Sequence, residues 1–83
     1  MLRIARTSHQ LGTLLRNERR AQALSQAQLA EKVGLRQATI SSLERGENAT
    51  RLSTVLDVLS ALGLQIEISE RKGATSANLT DRD

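Results

Sequence analysis

The sequence predicts an all-α fold, a bundle of four short helices followed by one short C-terminal strand. Three observations predict it. Apolar residues recur at helical spacing through four segments of a chain that contains no Pro. Gly34, Gly46 and Gly63 each follow one of those segments at once, the usual place for a helix stop. Residues 64–69 (LQIEIS) instead alternate apolar and polar, which is the period of a strand.

The elements follow in order. Residues 1–7 (MLRIART) are an arm whose alternation of Leu2, Arg3 and Ile4 fits a stub of strand. Thr7 or Ser8 then caps a first helix reaching about Ala23, with Leu11, Leu14 and Leu15 on its buried side. Ser25, with Gln28 three residues on, fits a capping box for a second helix, Gln26 to Val33. Gly34 stops it. A third helix opens at Arg36 or Gln37 and reaches Leu43 or Arg45, with Ile40 and Leu43 as its apolar pair. Residues 46–52 (GENATRL) read as a polar loop. Ser53 is expected to cap a fourth helix, Thr54 to Leu62, with Val55, Leu56, Val58, Leu59 and Leu62 apolar. The domain scheme is therefore an arm over 1–7, one domain over 8–70, and a small, polar tail over 71–83 expected to be disordered.

Composition narrows the function. An 83-residue chain makes one domain with a modest core, which favours association with another chain. With no Phe, Tyr or Trp, that core is Leu, Ile, Val and Ala. The absence of Cys rules out disulfides and thiolate metal sites. Apolar runs are only a few residues long, far below the roughly 20 that span a bilayer, so no membrane role and a cytoplasmic location are expected. The net charge of +3, carried mostly by Arg, suits a polyanionic partner. His9 stands alone, and Glu18, Glu31 and Glu47 are scattered. No Gly-rich phosphate loop or convergent carboxylate pair is present, so no catalytic site, metal or cofactor is expected.

The informative stretch is Gln26 to Gly46, QAQLAEKVGLRQATISSLERG. Two short helices joined by a tight turn at Gly34 have the layout of a helix-turn-helix, whose second helix enters the major groove of DNA. Ala30 sits where the helices approach closely, and Val33, Leu35 and Ile40 are placed to lock the angle between them.

Across about residues 8–64 the sequence resembles the XRE/Cro-type repressors, which have a lambda-repressor-like fold. Leu24-Ser25-Gln26, Leu29-Ala30, Val33-Gly34, Ile40-Ser41, Leu43-Glu44-Arg45-Gly46 and Ala61-Leu62-Gly63 carry the resemblance. Within that family Gln37-Ala38-Thr39-Ile40-Ser41, with Arg36 before it, is similar to the HipB-type antitoxins, as is the strand Leu64 to Ser69. In that group the strand pairs with its twin across a homodimer, which implies that Leu64, Ile66 and Ile68 form a dimer strand. A lone strand leaves its backbone groups open, so pairing with Leu2–Ala5, with a second copy, or with both is also expected on physical grounds.

The candidate interface follows. Arg36, Gln37, Ala38 and Ser41 lie near the start of the third helix, where a docked motif faces base edges. Arg suits guanine, Gln suits adenine, and Ala meets a thymine methyl. The resemblance puts its base-reading residues at the same positions. Gln26, at a helix N-terminus with free N–H groups, suits a phosphate. Asn48, Thr50 and Arg51 follow as backbone contacts or as an ordinary polar loop, while Thr39 and Ser42 either touch DNA or face solvent. The resemblance further implies that Arg19 and Glu44 form a structural salt bridge. Two functions remain in view. One is an antitoxin that represses its own operon and, as the HipB-type resemblance implies, binds a HipA-type Ser/Thr kinase toxin. The other is a stand-alone XRE repressor.

Overall fold

A computed structural model describes residues 2–47 and 50–71. Four helices are present in chain order: α1 (Ser8–Ala21), α2 (Gln26–Val33), α3 (Gln37–Glu44) and α4 (Leu52–Ala61). The four large side chains most completely withdrawn from solvent are Leu15, Leu29, Ile40 and Val58, one from each helix. They meet at one centre, and each contributes on the order of 1.5–3 kcal/mol of burial. Ala30, Leu43, Val55, Leu59 and Leu62 complete the core.

Local chemistry sets the helix starts. Thr7 accepts a hydrogen bond from the Gln10 N–H and caps α1. At α2 the Ser25 hydroxyl accepts from the Gln28 N–H at 3.0 Å while the Gln28 side chain accepts from the Ser25 N–H at 2.8 Å. That reciprocal pair is the capping box read from the sequence.

All four helices end by one device. The backbone turns left-handed at Ala23, Gly34, Gly46 and Gly63. The next N–H then reaches back five residues: Leu24 to Arg19, Leu35 to Ala30, Glu47 to Ser42 and Leu64 to Leu59, at 2.8–3.1 Å. Gly adopts this conformation without a steric cost. Ala23 adopts it at φ 59° and is the exception. With no Gly to announce the stop, the sequence predicts α1 to about Ala23, but it ends at Ala21. Gln22 secures that end, donating to the Leu62 carbonyl of the α4 terminus at 2.8 Å.

Two further expectations, the cap of α4 and the strand, are corrected. α4 starts at Leu52 with Arg51 as its N-cap and no side-chain bond there, so Ser53 lies inside the first turn and does not cap. Leu56 is exposed, because the face of α4 that meets α2 is set by Val55, Val58 and Leu59. No strand occurs among the described residues: neither 64–69 nor Leu2–Ala5 finds a ladder within the single chain. Leu64 packs against the core, but Ile66 is 50% and Ile68 95% exposed. The tail from residue 72 onward lies outside the described residues.

Candidate nucleic-acid interface

The turn between α2 and α3 aims α3. Gly34, at φ 75°, reverses the chain, and Leu35 and Val33 pack against the core beside it. α3 is then anchored by the three residues it buries, Ile40, Leu43 and Glu44. Its opposite edge is left to solvent: Arg36, Gln37 and Ala38 are all exposed. Arg36 is the N-cap of α3 but makes no capping bond with its side chain, so its guanidinium extends from the turn uncommitted to the helix end.

Beneath that edge lies a buried ion pair. Arg19 Nε donates to Glu44 Oε2 at 2.6 Å and its second terminal nitrogen to Glu44 Oε1 at 3.0 Å. The remaining nitrogen donates to the Leu24 carbonyl at 2.7 Å. One side chain thus ties α1 to α3 and to the α1–α2 turn. Burial pushes the Glu44 carboxyl up, but hydrogen bonds from Arg19 and Gln26 and the charges of Arg19 and Arg16 outweigh it and hold the group below its ordinary value. Its hydrogen bond to Glu44 raises Arg19 further. The pair is fully charged at neutral pH.

The polar network continues outward. Gln26, at the N-terminus of α2, donates to Glu44 Oε1 at 3.1 Å. Its own side-chain oxygen accepts from the Gln37 amide at 3.5 Å, a long contact that orients Gln37 weakly. A buried carboxylate therefore positions Gln26, and Gln26 lies within reach of Gln37. On the far side of α3, Arg45 donates to the hydroxyls of Ser41 and Ser42 and pairs with Glu47 at 3.0 Å. Ser41 keeps a hydroxyl proton free to donate, whereas that of Ser42 is turned to the Glu47 carboxylate. Thr39 and Thr50 are half-buried and Arg51 is exposed at the start of α4; Asn48 lies outside the described residues.

Gly12 was missed at the level of sequence. It is buried in α1, and a Cβ there would lie 2.5 Å from the Glu44 carbonyl oxygen and 2.6 Å from that of Leu43. α1 and α3 touch backbone to backbone at this point. The available signal was a Gly in the interior of a helix, which costs stability unless packing requires it.

Two short helices crossing through a left-handed turn, with the second offering an exposed polar leading edge, define a helix-turn-helix protein. The helix-turn-helix family HTH_3 matches residues 15–68, and the chain belongs to that family. It is 33% identical over 66 residues to the antitoxin HipB of Escherichia coli K12, covering 80% of this chain and 75% of that relative. A chain in the structure of a HipA-HipB-O2-O3 complex superposes with a TM-score of 0.76 at 29% identity, over 83% of this chain and 97% of the other. The restriction-modification controller protein C.AhdI from Aeromonas hydrophila superposes at 0.65 with 33% identity, over 70% of this chain and 88% of the other. Among the described residues no helix is long and apolar enough to cross a membrane.

Proposed function

We propose that this chain is a sequence-specific DNA-binding antitoxin that represses its own operon as a homodimer and binds a HipA-type Ser/Thr kinase toxin. One observation carries the DNA-binding part: Arg36, Gln37 and Ala38 are withheld from the core on a helix that is itself rigidly held by the Arg19–Glu44 pair. Residues that pack nothing, on an element fixed so firmly, are placed to meet a partner. Their chemistry is that of base readout in the major groove, with Ser41 one turn further along the same helix. Gln26, Thr39, Ser42, Thr50 and Arg51 serve as contacts to the sugar-phosphate backbone, which set register without reading sequence.

The homodimer rests on the exposed apolar ends. Leu2, Ile4, Ile66 and Ile68 are each at least half exposed, and they occupy the two terminal segments that the single chain leaves unpaired. A second copy bringing residues 64–69 alongside their twin covers Ile66 and Ile68 and pairs the open backbone groups. Two-fold symmetry then presents two copies of α3 about one helical turn, roughly 34 Å, apart on one side of a duplex.

The kinase partner is supported by similarity to HipB, which forms a complex with HipA. The likeness to a restriction-modification controller protein favours a second reading, a transcriptional regulator that acts without a toxin. Purification of the tagged chain from its host, followed by sequencing of bound DNA and mass spectrometry of bound protein, separates the two. A discrete DNA sequence with a kinase supports the first reading. The DNA alone supports the second, and no enriched DNA removes both.

A further inference from the structure

A cavity of about 330 Å³ opens between α1 and α3, beside Gln26 and Ser41 and therefore next to the edge assigned to base readout. Its walls carry Arg16 and Arg20 from α1 and Arg45 from the end of α3, and the Arg19–Glu44 pair forms its base. Of its four guanidinium groups, Arg19 is paired with Glu44 and Arg45 with Glu47, leaving the two positive charges of Arg16 and Arg20 in excess. The Glu44 carboxylate is already satisfied by Arg19 and does not oppose an incoming anion.

Charge is spent unevenly around this cavity. Arg45 is committed to Ser41, Ser42 and Glu47. Arg16 and Arg20 form no ion pair with any carboxylate among the described residues. They lie four residues apart on α1, on the same face of the helix, and both are exposed. Two like charges side by side repel each other, and unless an anion is brought between them they weaken the helix. A guanidinium offers a planar fork of donors that matches a tetrahedral phosphate.

We propose that this cavity is a phosphate site: Arg16 and Arg20 grip one backbone phosphate of the duplex whose bases α3 reads. The inference rests on the DNA-binding function proposed above and extends the interface to α1, an element that helix-turn-helix geometry alone leaves outside it. The site fixes the distance between α1 and the DNA backbone and carries no sequence information. Gln26, which borders the same cavity, supplies a neutral donor to the same phosphate group.

The test uses the full chain, a duplex selected from a randomised pool by the wild-type protein, and a duplex of arbitrary sequence. The R16Q/R20Q variant is compared with R6Q/R71Q, which removes equal charge elsewhere. Both pairs lie on the surface, and a thermal melt verifies folding. Affinity is measured across a series of salt concentrations. Loss of one phosphate contact lowers the slope of log affinity against log salt by about 0.9 per protomer. R16Q/R20Q is expected to show that fall equally on both duplexes, with R6Q/R71Q retaining the wild-type slope. An unchanged slope in R16Q/R20Q overturns the site, as does an equal fall in R6Q/R71Q, which would mark diffuse charge. A loss confined to the selected duplex also overturns it, because it would make these residues base readers. Failure of the wild-type protein to select any duplex refutes the DNA-binding function itself, a different outcome from any of these.

Discussion

Glu44 of α3 receives two hydrogen bonds from Arg19 of α1, at 2.6 and 3.0 Å, at a position closed to solvent. The two residues are 25 apart in sequence, so the pair fixes a tertiary angle and adds nothing to either helix alone. Removing one partner strands the other charge in the interior. Glu44→Ala is expected to cost about 3–5 kcal/mol, and the double change Arg19→Met with Glu44→Leu to recover most of it. Urea denaturation of Glu44→Ala, of Arg19→Met and Glu44→Leu singly, and of the double variant measures this. Additive losses would show that the pair is not coupled.

Acid should weaken the fold through the same carboxylate. Glu44 titrates below its ordinary 4.5 in the folded protein. Between the folded and unfolded values the unfolded chain carries the extra proton, so stability rises with pH there. The contribution is complete well above pH 4.5 and is lost as pH falls through the folded value. Glu18, bonded to Gln22 and Arg3, and Glu47, bonded to Arg45 and Ser42, are also lowered and act in the same window. Both persist in Glu44→Gln. The unfolding midpoint of the wild type should therefore drop more steeply than that of Glu44→Gln on going from about pH 6 to about pH 3. Parallel curves would remove Glu44 as a source of the acid sensitivity.

The α1–α3 crossing depends on the missing side chain at Gly12. A methyl group there meets two carbonyl oxygens of α3, and backbone has no rotamer with which to retreat. Gly12→Ala gains helix propensity worth about 1 kcal/mol but forces the helices apart. A net loss of about 1–3 kcal/mol is expected, as for other overpacked interiors. Thermal unfolding reads this directly. A variant as stable as the wild type would mean that α1 shifts freely against α3, which would also loosen the Arg19–Glu44 geometry.

What the sequence disclosed, and what it did not, divides by range. The caps at Thr7 and Ser25 and the turn at Gly34 are local chemistry and were legible. So were the core positions spaced along each helix. The end of α1 was not, because Ala23 takes a left-handed conformation that only tertiary contacts such as Gln22 with Leu62 make worthwhile. The start of α4 was misplaced because Ser53 has the residue type of a cap without its backbone position. Leu56 and Gly12 depend on which neighbour a helix face meets, information that periodicity does not hold. In the candidate site, the exposure of Arg36, Gln37 and Ala38 follows from their place at the start of α3. The link from Glu44 through Gln26 to Gln37 was not legible, since it runs from α3 to α2 and back across distances that no local pattern reports.

That link bears on readout. Gln37 is exposed and lightly held by Gln26, so it contributes little to the fold and is free to bond an adenine edge. Gln37→Ala is expected to weaken binding to a selected duplex by about 1–3 kcal/mol while leaving affinity for arbitrary sequence and thermal stability nearly unchanged. Fluorescence anisotropy with both duplexes reports the two affinities. An equal loss on both would assign Gln37 to the DNA backbone and leave sequence discrimination to Arg36, Ala38 and Ser41.

The assembly is tested at Ile66. This side chain is half exposed in the single chain and follows Leu64, which is already packed on the core, by one strand repeat. In a strand, residues two apart share a face, so Ile66 and Ile68 extend the apolar surface that Leu64 begins. Ile66→Lys puts a charge at the centre of the proposed pairing between copies while disturbing little within one copy. It should dissociate the dimer in sedimentation equilibrium, leave the helical circular dichroism signal in place, and reduce affinity for a two-half-site duplex far more than for a single half-site. The last comparison is decisive, because a monomer loses only the benefit of binding two sites at once. A stable dimer with wild-type affinity in this variant would place the contact between copies elsewhere, with the exposed Leu52 and Leu56 of α4 as the next surface to examine.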